Sequence, residues 1–266
     1  MKPKIGLVLS GGGARGFAHA GVIKVLEKHD IEISAVAGSS MGSIIGAFFA
    51  AGISAQEIEK NILNFKVRDF FKVLDISFSR TGLIKGEKAI DHILSLLPVK
   101  TFEELKIPLV VNAVDIINEK EVAFSSGDLY KAISAATCFP GFIEPKKVNK
   151  TLMMDGGLKN PLALGLLDDY DLDFCILVNV STGFGKKINK KNPNIIDIFK
   201  LSVSLMQDEM IDLKLKTIKN DYILIQPDVE KMELWEINKS DKLIEEGENS
   251  ANKKIDMILN KIKTVK

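Results

Sequence analysis

Histidine, cysteine and tryptophan are nearly missing from this sequence: three, two and one in 266 residues. Two cysteines, Cys138 and Cys175, cannot build a disulfide framework. The expected state is a pair of reduced thiols, which points to the cytoplasm. No cluster of Cys and His has metal-ligand spacing, so neither a metal nor another cofactor is expected. Charge of one sign is also lacking. A net charge of +1 gives no global field to recruit nucleic acid or an anionic membrane, and no nucleic-acid partner is expected. There is no apolar run of about 18 residues to cross a bilayer. The opening MKPKIGLVLSG has too short an apolar stretch for a secretory signal. The expectation is a soluble chain that is free to touch a membrane peripherally.

What is present suits a folded α/β chain. The sequence is 46% hydrophobic and 27% charged, ordinary values for a soluble domain. Short apolar runs at 5–9, 33–37, 108–116 and 174–180 read as buried strands, with a further strand near 122–125, another at 151–154 and a last one at 222–225. Between them lie helical patterns. Met41, Ile44, Ile45, Phe48 and Phe49 share one helix face. Ser54-Ala-Gln-Glu57 is a capping box. Helices are also predicted over 86–97, 129–137 and 195–218, and from 240 to the end. Strands alternating with helices imply a mostly parallel sheet covered on both faces. With no repeat and no linker, residues 1–266 read as one domain, whose chemistry-bearing core spans about 4–160 and whose helical end spans about 195–266.

The first motif is Gly38-Ser39-Ser40-Met41-Gly42. Gly-x-Ser-x-Gly between a strand and a helix makes a sharp elbow that presents the serine oxygen at the helix N-terminus. Glycines at 38 and 42 relieve clashes in so tight a bend. The helix end adds unpaired N–H groups and a positive dipole end. The second motif is Gly11-Gly12-Gly13-Ala14-Arg15-Gly16, after the first strand. Such a loop offers backbone N–H groups to an anion, so Gly11, Gly12 and Gly13 are candidates for an oxyanion hole. Arg15 is a candidate to polarise that loop or to hold a substrate phosphate, with a structural ion pair as its plain alternative. The loop also fits the dinucleotide fingerprint. The second strand, however, ends in the serine elbow where that fingerprint needs an acid. The third motif is Asp155-Gly156-Gly157, an acid at a strand end before two permissive glycines.

The histidine count bears on the choice between triad and dyad. His19, His29 and His92 all precede Asp155, so the order Ser, Asp, His of the α/β-hydrolases is impossible. His29 reads as packing; His19 follows the glycine loop and could approach the site but reads as structural; His92 reads as a helix residue, with a catalytic role as the lesser alternative. A serine needs a base, and a Ser40–Asp155 dyad fits better than a triad.

GGGARG, GSSMG and DGG in this order closely resemble the patatin-like phospholipase family, above all its bacterial members and the branch similar to neuropathy target esterase. The match runs through GLVLSGGGARGFAHAGVIKVLE and VAGSSMGSIIGAFFAAG, and AISAATCFPGFIEP resembles the block before the aspartate strand. The resemblance implies a three-layer α/β/α fold and a Ser–Asp dyad. It implies attack by Ser40 on a lipid ester, with Asp155 as base, the Gly11–Gly13 amides on the oxyanion, and no metal. The products would be a fatty acid and a lysophospholipid or glycerophospho-alcohol. Two other classes remain as alternatives: acyl transfer by the same serine, and nucleotide binding at the glycine loop. Residues 65–86 mix phenylalanines with basic residues as a lid or interfacial patch would, or as a packed helix with a solvated basic face would. Lys186, Lys187, Lys190 and Lys191 form a basic loop that would suit anionic headgroups or plain solvent.

Overall fold

A computed structural model describes residues 2–64, 87–148, 150–183, 193–233 and 236–265. The 65–86 patch and the Lys186–Lys191 loop lie outside the described residues. In chain order the elements are β1 (Ile5–Leu9), α1 (Ala18–Lys28), β2 (Ala35–Ser39), α2 (Met41–Ala50), α3 (Ala55–Asn64), α4 (Glu87–Leu94), β3 (Leu109–Asp115) and β4 (Lys120–Phe124). They continue with α5 (Leu129–Ala136), β5 (Lys146–Val148), β6 (Thr151–Asp155), β7 (Phe174–Val178), α6 (Ile195–Leu215), β8 (Tyr222–Ile225), α7 (Ser240–Asn252) and α8 (Ile255–Thr264).

Among the described residues there is one eight-stranded sheet, ordered β5-β6-β3-β2-β1-β7-β8, with β4 also on β3. The strands from β3 to β8 along that order are parallel, whereas β4, β5 and β6 run antiparallel to their neighbours. Side chains alternate across the sheet with the strand period of two. Leu7, Leu9, Val36, Val111, Ile176 and Val178 pack on one face with residues of α1, α2, α3 and α7. Val8, Ala37, Val110, Cys175 and Leu177 pack on the other, with Leu162–Leu167 and Ile211 of α6. The result is the expected three-layer α/β/α arrangement. Each fully buried Leu or Ile in it contributes about 1.5–3 kcal/mol.

Strand β3 sets up the site. Its Asn112 pairs with Ser39 of β2, and the next residue, Ala113, pairs with Asp155 of β6. Asn112 and Ala113 also pair with Ala123 and Val122 of β4. A strand has only two edges, so β2 and β6 lie end to end on the edge opposite β4. β2 is parallel to β3 and β6 antiparallel, so their C-terminal ends meet head-on.

Several local details differ from the sequence reading: β2 covers Ala35–Ser39 instead of 33–37, and α4 ends at Leu94 instead of 97. The C-terminal helix is two helices, because Lys254 N–H bonds to Ala251 at 2.9 Å in a tighter turn. Helix α6 stops at Leu215. The short strand β5 gives no apolar signal, because two of its three residues are lysines. The Ser54–Glu57 capping box is present, with Glu57 N–H bonded to Ser54 Oγ at 3.3 Å. Among the described residues no helix is long and apolar enough to cross a membrane.

Candidate active site

Strand β2 ends in small residues, and the chain reverses at Ser40. This residue has φ 50° and ψ −123°, a strained conformation for a side chain other than glycine. Helix α2 starts at once, its first turn closed by Ser43 N–H to the Ser40 carbonyl at 2.9 Å. The two elbow glycines are there because backbone meets backbone. A Cβ on Gly38 would lie 2.5 Å from the Gly42 carbonyl oxygen, and one on Gly42 would lie 2.3 Å from that of Leu9. Ser40 itself stays half-buried at the sheet end.

Asp155, the last residue of β6, is buried. Its N–H bonds to the Cys138 carbonyl at 3.0 Å. Its Oδ1 accepts Gly157 N–H at 2.8 Å, and its Oδ2 accepts the Ser40 hydroxyl at 2.6 Å. Burial pushes this carboxyl up to about 6, against the opposing pull of the Ser40 and Gly157 hydrogen bonds. The same burial, with Asp155 nearby, pushes the Cys138 thiol up to about 12, so it is an inert neighbour.

The glycine loop runs against the elbow. A Cβ on Gly11 would stand 3.0 Å from Ser40 Cβ. The Gly11 N–H is already bonded to the Pro161 carbonyl at 2.9 Å, so it is not an oxyanion donor, contrary to expectation. Among the described residues the N–H groups of Gly12 and Gly13 have no protein acceptor. Both residues take positive φ, 150° and 55°. Arg15 is fully buried. It donates to the carbonyls of Met232 at 2.7 Å, Thr182 at 3.0 Å and Glu230 at 3.1 Å. With its fork engaged and no surface exposed, it is not placed to take a substrate phosphate. It clamps the loop to later segments of the chain, and burial lowers its pKa to about 10.

Several supporting residues escaped sequence reasoning. Gln207 of α6 donates to the Gly157 carbonyl at 2.9 Å, which seats that helix on the aspartate turn. Asn112 and Asn160 both donate to Glu121 Oε1 at 2.9 Å beneath the same turn. A Cβ on Gly156 would lie 2.1 Å from Asn112 Oδ1. Ser10 and His19 lie behind the glycine loop, with His19 Nε2 2.9 Å from the Ser10 carbonyl. Only the string LSGGG hinted at Ser10; nothing local marked Gln207, which lies far along the chain. His29 is half-buried just past the C-terminal end of α1.

A family model described as patatin-like phospholipase matches residues 7–168. An NTE family protein of Mycobacterium tuberculosis (strain ATCC 25618 / H37Rv) is 34% identical over 193 residues, which are 73% of this chain and 53% of that protein. A lysophospholipase NTE1 of Scheffersomyces stipitis is 24% identical over 272 residues, covering 94% of this chain and 18% of the relative. The chain thus spans about half the length of the first curated relatives it matches. Among solved structures, VipD from Legionella pneumophila superposes with a TM-score of 0.59 at 14% identity, covering 97% of this chain and 67% of that one. Human GIVD cytosolic phospholipase A2 gives 0.50 at 10% identity, covering 99% and 59%. These two likenesses concern the fold.

Proposed function

This chain belongs to the patatin-like phospholipase family, and from that premise we propose that it is a serine lipid acyl hydrolase working through a Ser40–Asp155 dyad. The observation that carries the reading is the 2.6 Å hydrogen bond from the Ser40 hydroxyl to Asp155 Oδ2 at the elbow. Asp155 takes the hydroxyl proton as Ser40 Oγ attacks the ester carbonyl. A carboxyl with a pKa of about 6 is ionised at neutral pH and is a stronger base than an exposed aspartate. The developing oxyanion is held by the N–H groups of Gly12 and Gly13, each such donor being worth roughly 10²–10³ in rate. The alcohol leaves with the proton from Asp155. Water, activated by the same carboxylate, then frees the fatty acid and restores Ser40. The substrate is a phospholipid, a lysophospholipid or a related ester.

Peripheral contact with a lipid surface is part of the reading. It is supported by Ile195, Ile198, Phe199, Leu205 and Met206, exposed at helical spacing on the first turns of α6. That helix also carries Gln207, bonded to the aspartate turn.

The test is hydrolysis of a lipid panel with mass analysis of products, for wild type and Ser40→Ala. Free fatty acid released by wild type alone is the expected outcome. Acyl-acceptor product in place of free acid would make the protein an acyltransferase. Equal turnover by Ser40→Ala would remove the serine from the mechanism.

A further inference from the structure

Ser10 is fully buried and takes no part in the chemistry described so far, yet its hydroxyl has two partners that meet the glycine loop. Ser10 Oγ accepts Val180 N–H at 2.9 Å and donates to the Gly11 carbonyl at 2.9 Å. The peptide bond that follows is trans, so its C=O and N–H point in opposite directions. Holding the Gly11 carbonyl inward therefore turns the Gly12 N–H outward. That peptide adjoins the nucleophile, because a Cβ on Gly11 would stand 3.0 Å from Ser40 Cβ. The preceding peptide is pinned too. His19 Nε2 lies 2.9 Å from the Ser10 carbonyl, and Gly11 N–H bonds to the Pro161 carbonyl at 2.9 Å.

We propose that Ser10 is a positioning residue for the oxyanion hole, its hydroxyl relaying from Val180 N–H to the Gly11 carbonyl and thereby aiming the Gly12 N–H. The proposal rests on the hydrolase reading above and adds a residue to it. A serine here is more than a turn former. Glycine loops are free to rotate their peptide planes, and a pre-aimed donor needs no reorganisation when charge develops on the substrate oxygen. Linked hydrogen bonds also polarise one another, which makes the Gly12 N–H a stronger donor than an isolated one. A residue aimed in this way acts on the tetrahedral intermediate, not on the ground-state ester, so its loss falls on kcat and leaves KM in place.

The experiment is steady-state hydrolysis of a soluble 4-nitrophenyl acyl ester by the full chain as wild type, Ser10→Ala and Ser10→Thr, with thermal denaturation of each. Ser10→Ala is expected to lower kcat about 10- to 100-fold with KM within about twofold. It should weaken inhibition by a trifluoromethyl ketone, which forms a tetrahedral oxyanion on serine, by a similar factor. Ser10→Thr, which keeps the hydroxyl, is expected to recover most of kcat. If Ser10→Ala does not fold, Ser10→Cys, similar in volume with a weaker donor, is measured in its place for the same split. A folded variant with kcat unchanged, or with the loss in KM, would overturn the proposal alone. A wild-type protein inert to both ester and ketone would overturn the hydrolase reading and this proposal with it.

Discussion

The Ser40 hydroxyl and the Asp155 carboxylate meet at 2.6 Å because consecutive residues of one strand position both. Asn112 of β3 pairs with Ser39, and Ala113 pairs with Asp155. The elbow and the aspartate turn are thus two strand ends abutting on a shared edge. They are 115 residues apart in the chain. Sheet register places them side by side, which is the arrangement the proposed dyad needs.

The acid limb of activity follows from Asp155. Its pKa is raised to about 6, and only the ionised form can accept the Ser40 proton. A profile of kcat/KM against pH is expected to fall about tenfold per unit below about pH 6. An acid limb near pH 4 instead would mean that the base is not a buried carboxyl.

The same burial makes Asp155 a cost to stability. Its folded pKa is above the unfolded value of 3.8, so its ionised form is disfavoured in the fold. Its contribution is intact below about pH 4 and is lost as pH rises through about 6, a change of about 3 kcal/mol. Asp155→Asn should therefore unfold at a higher temperature than wild type near pH 8. The difference should vanish near pH 4. His19, whose pKa burial lowers to about 4, is in both proteins and cancels. Differential scanning calorimetry at the two pH values reads this directly.

Gly42→Ala is expected to be damaging. The new methyl carbon would lie 2.3 Å from the Leu9 carbonyl oxygen, which is backbone and cannot swing aside. The elbow must shift, at about 1–3 kcal/mol of stability or more, with most activity lost. Urea titration and ester hydrolysis measure the two effects.

Arg15→Met should behave as a structural lesion. Three part-buried backbone carbonyls lose their donor, and a loss of about 2–5 kcal/mol is expected from denaturant unfolding. The ratio of activity on phosphate-bearing to neutral glycerides should stay unchanged. A selective loss on the phosphate-bearing lipid would give Arg15 a role in binding.

Ile198→Glu combined with Leu205→Glu places charge on the exposed face of α6. Sedimentation with phospholipid vesicles should show weaker binding, while hydrolysis of a soluble ester stays near wild type. Unchanged vesicle binding would remove that face from the lipid contact.

The layers of the fold were readable because buried parallel strands are short apolar runs and their helices have a clean apolar period. The glycine motifs were readable because a tight bend leaves few residues to choose from, as at Gly38 and Gly42. Hydrogen-bond partners chosen by tertiary contact were not. Gly11 looked equivalent to Gly12 until Pro161 claimed its N–H. Arg15 looked like an anion ligand until three distant carbonyls took its fork. Gln207 sits on a helix whose apolar pattern says nothing of the Gly157 carbonyl it meets.

Peptide-resolved mass spectrometry after reaction with an alkyl fluorophosphonate tests the proposed role of Ser40 most directly. A single adduct on Ser40 is expected, absent from Ser40→Ala and formed far more slowly by Asp155→Asn. An adduct on another serine, or a wild-type protein that hydrolyses lipid while Ser40 stays unlabelled, would contradict that role.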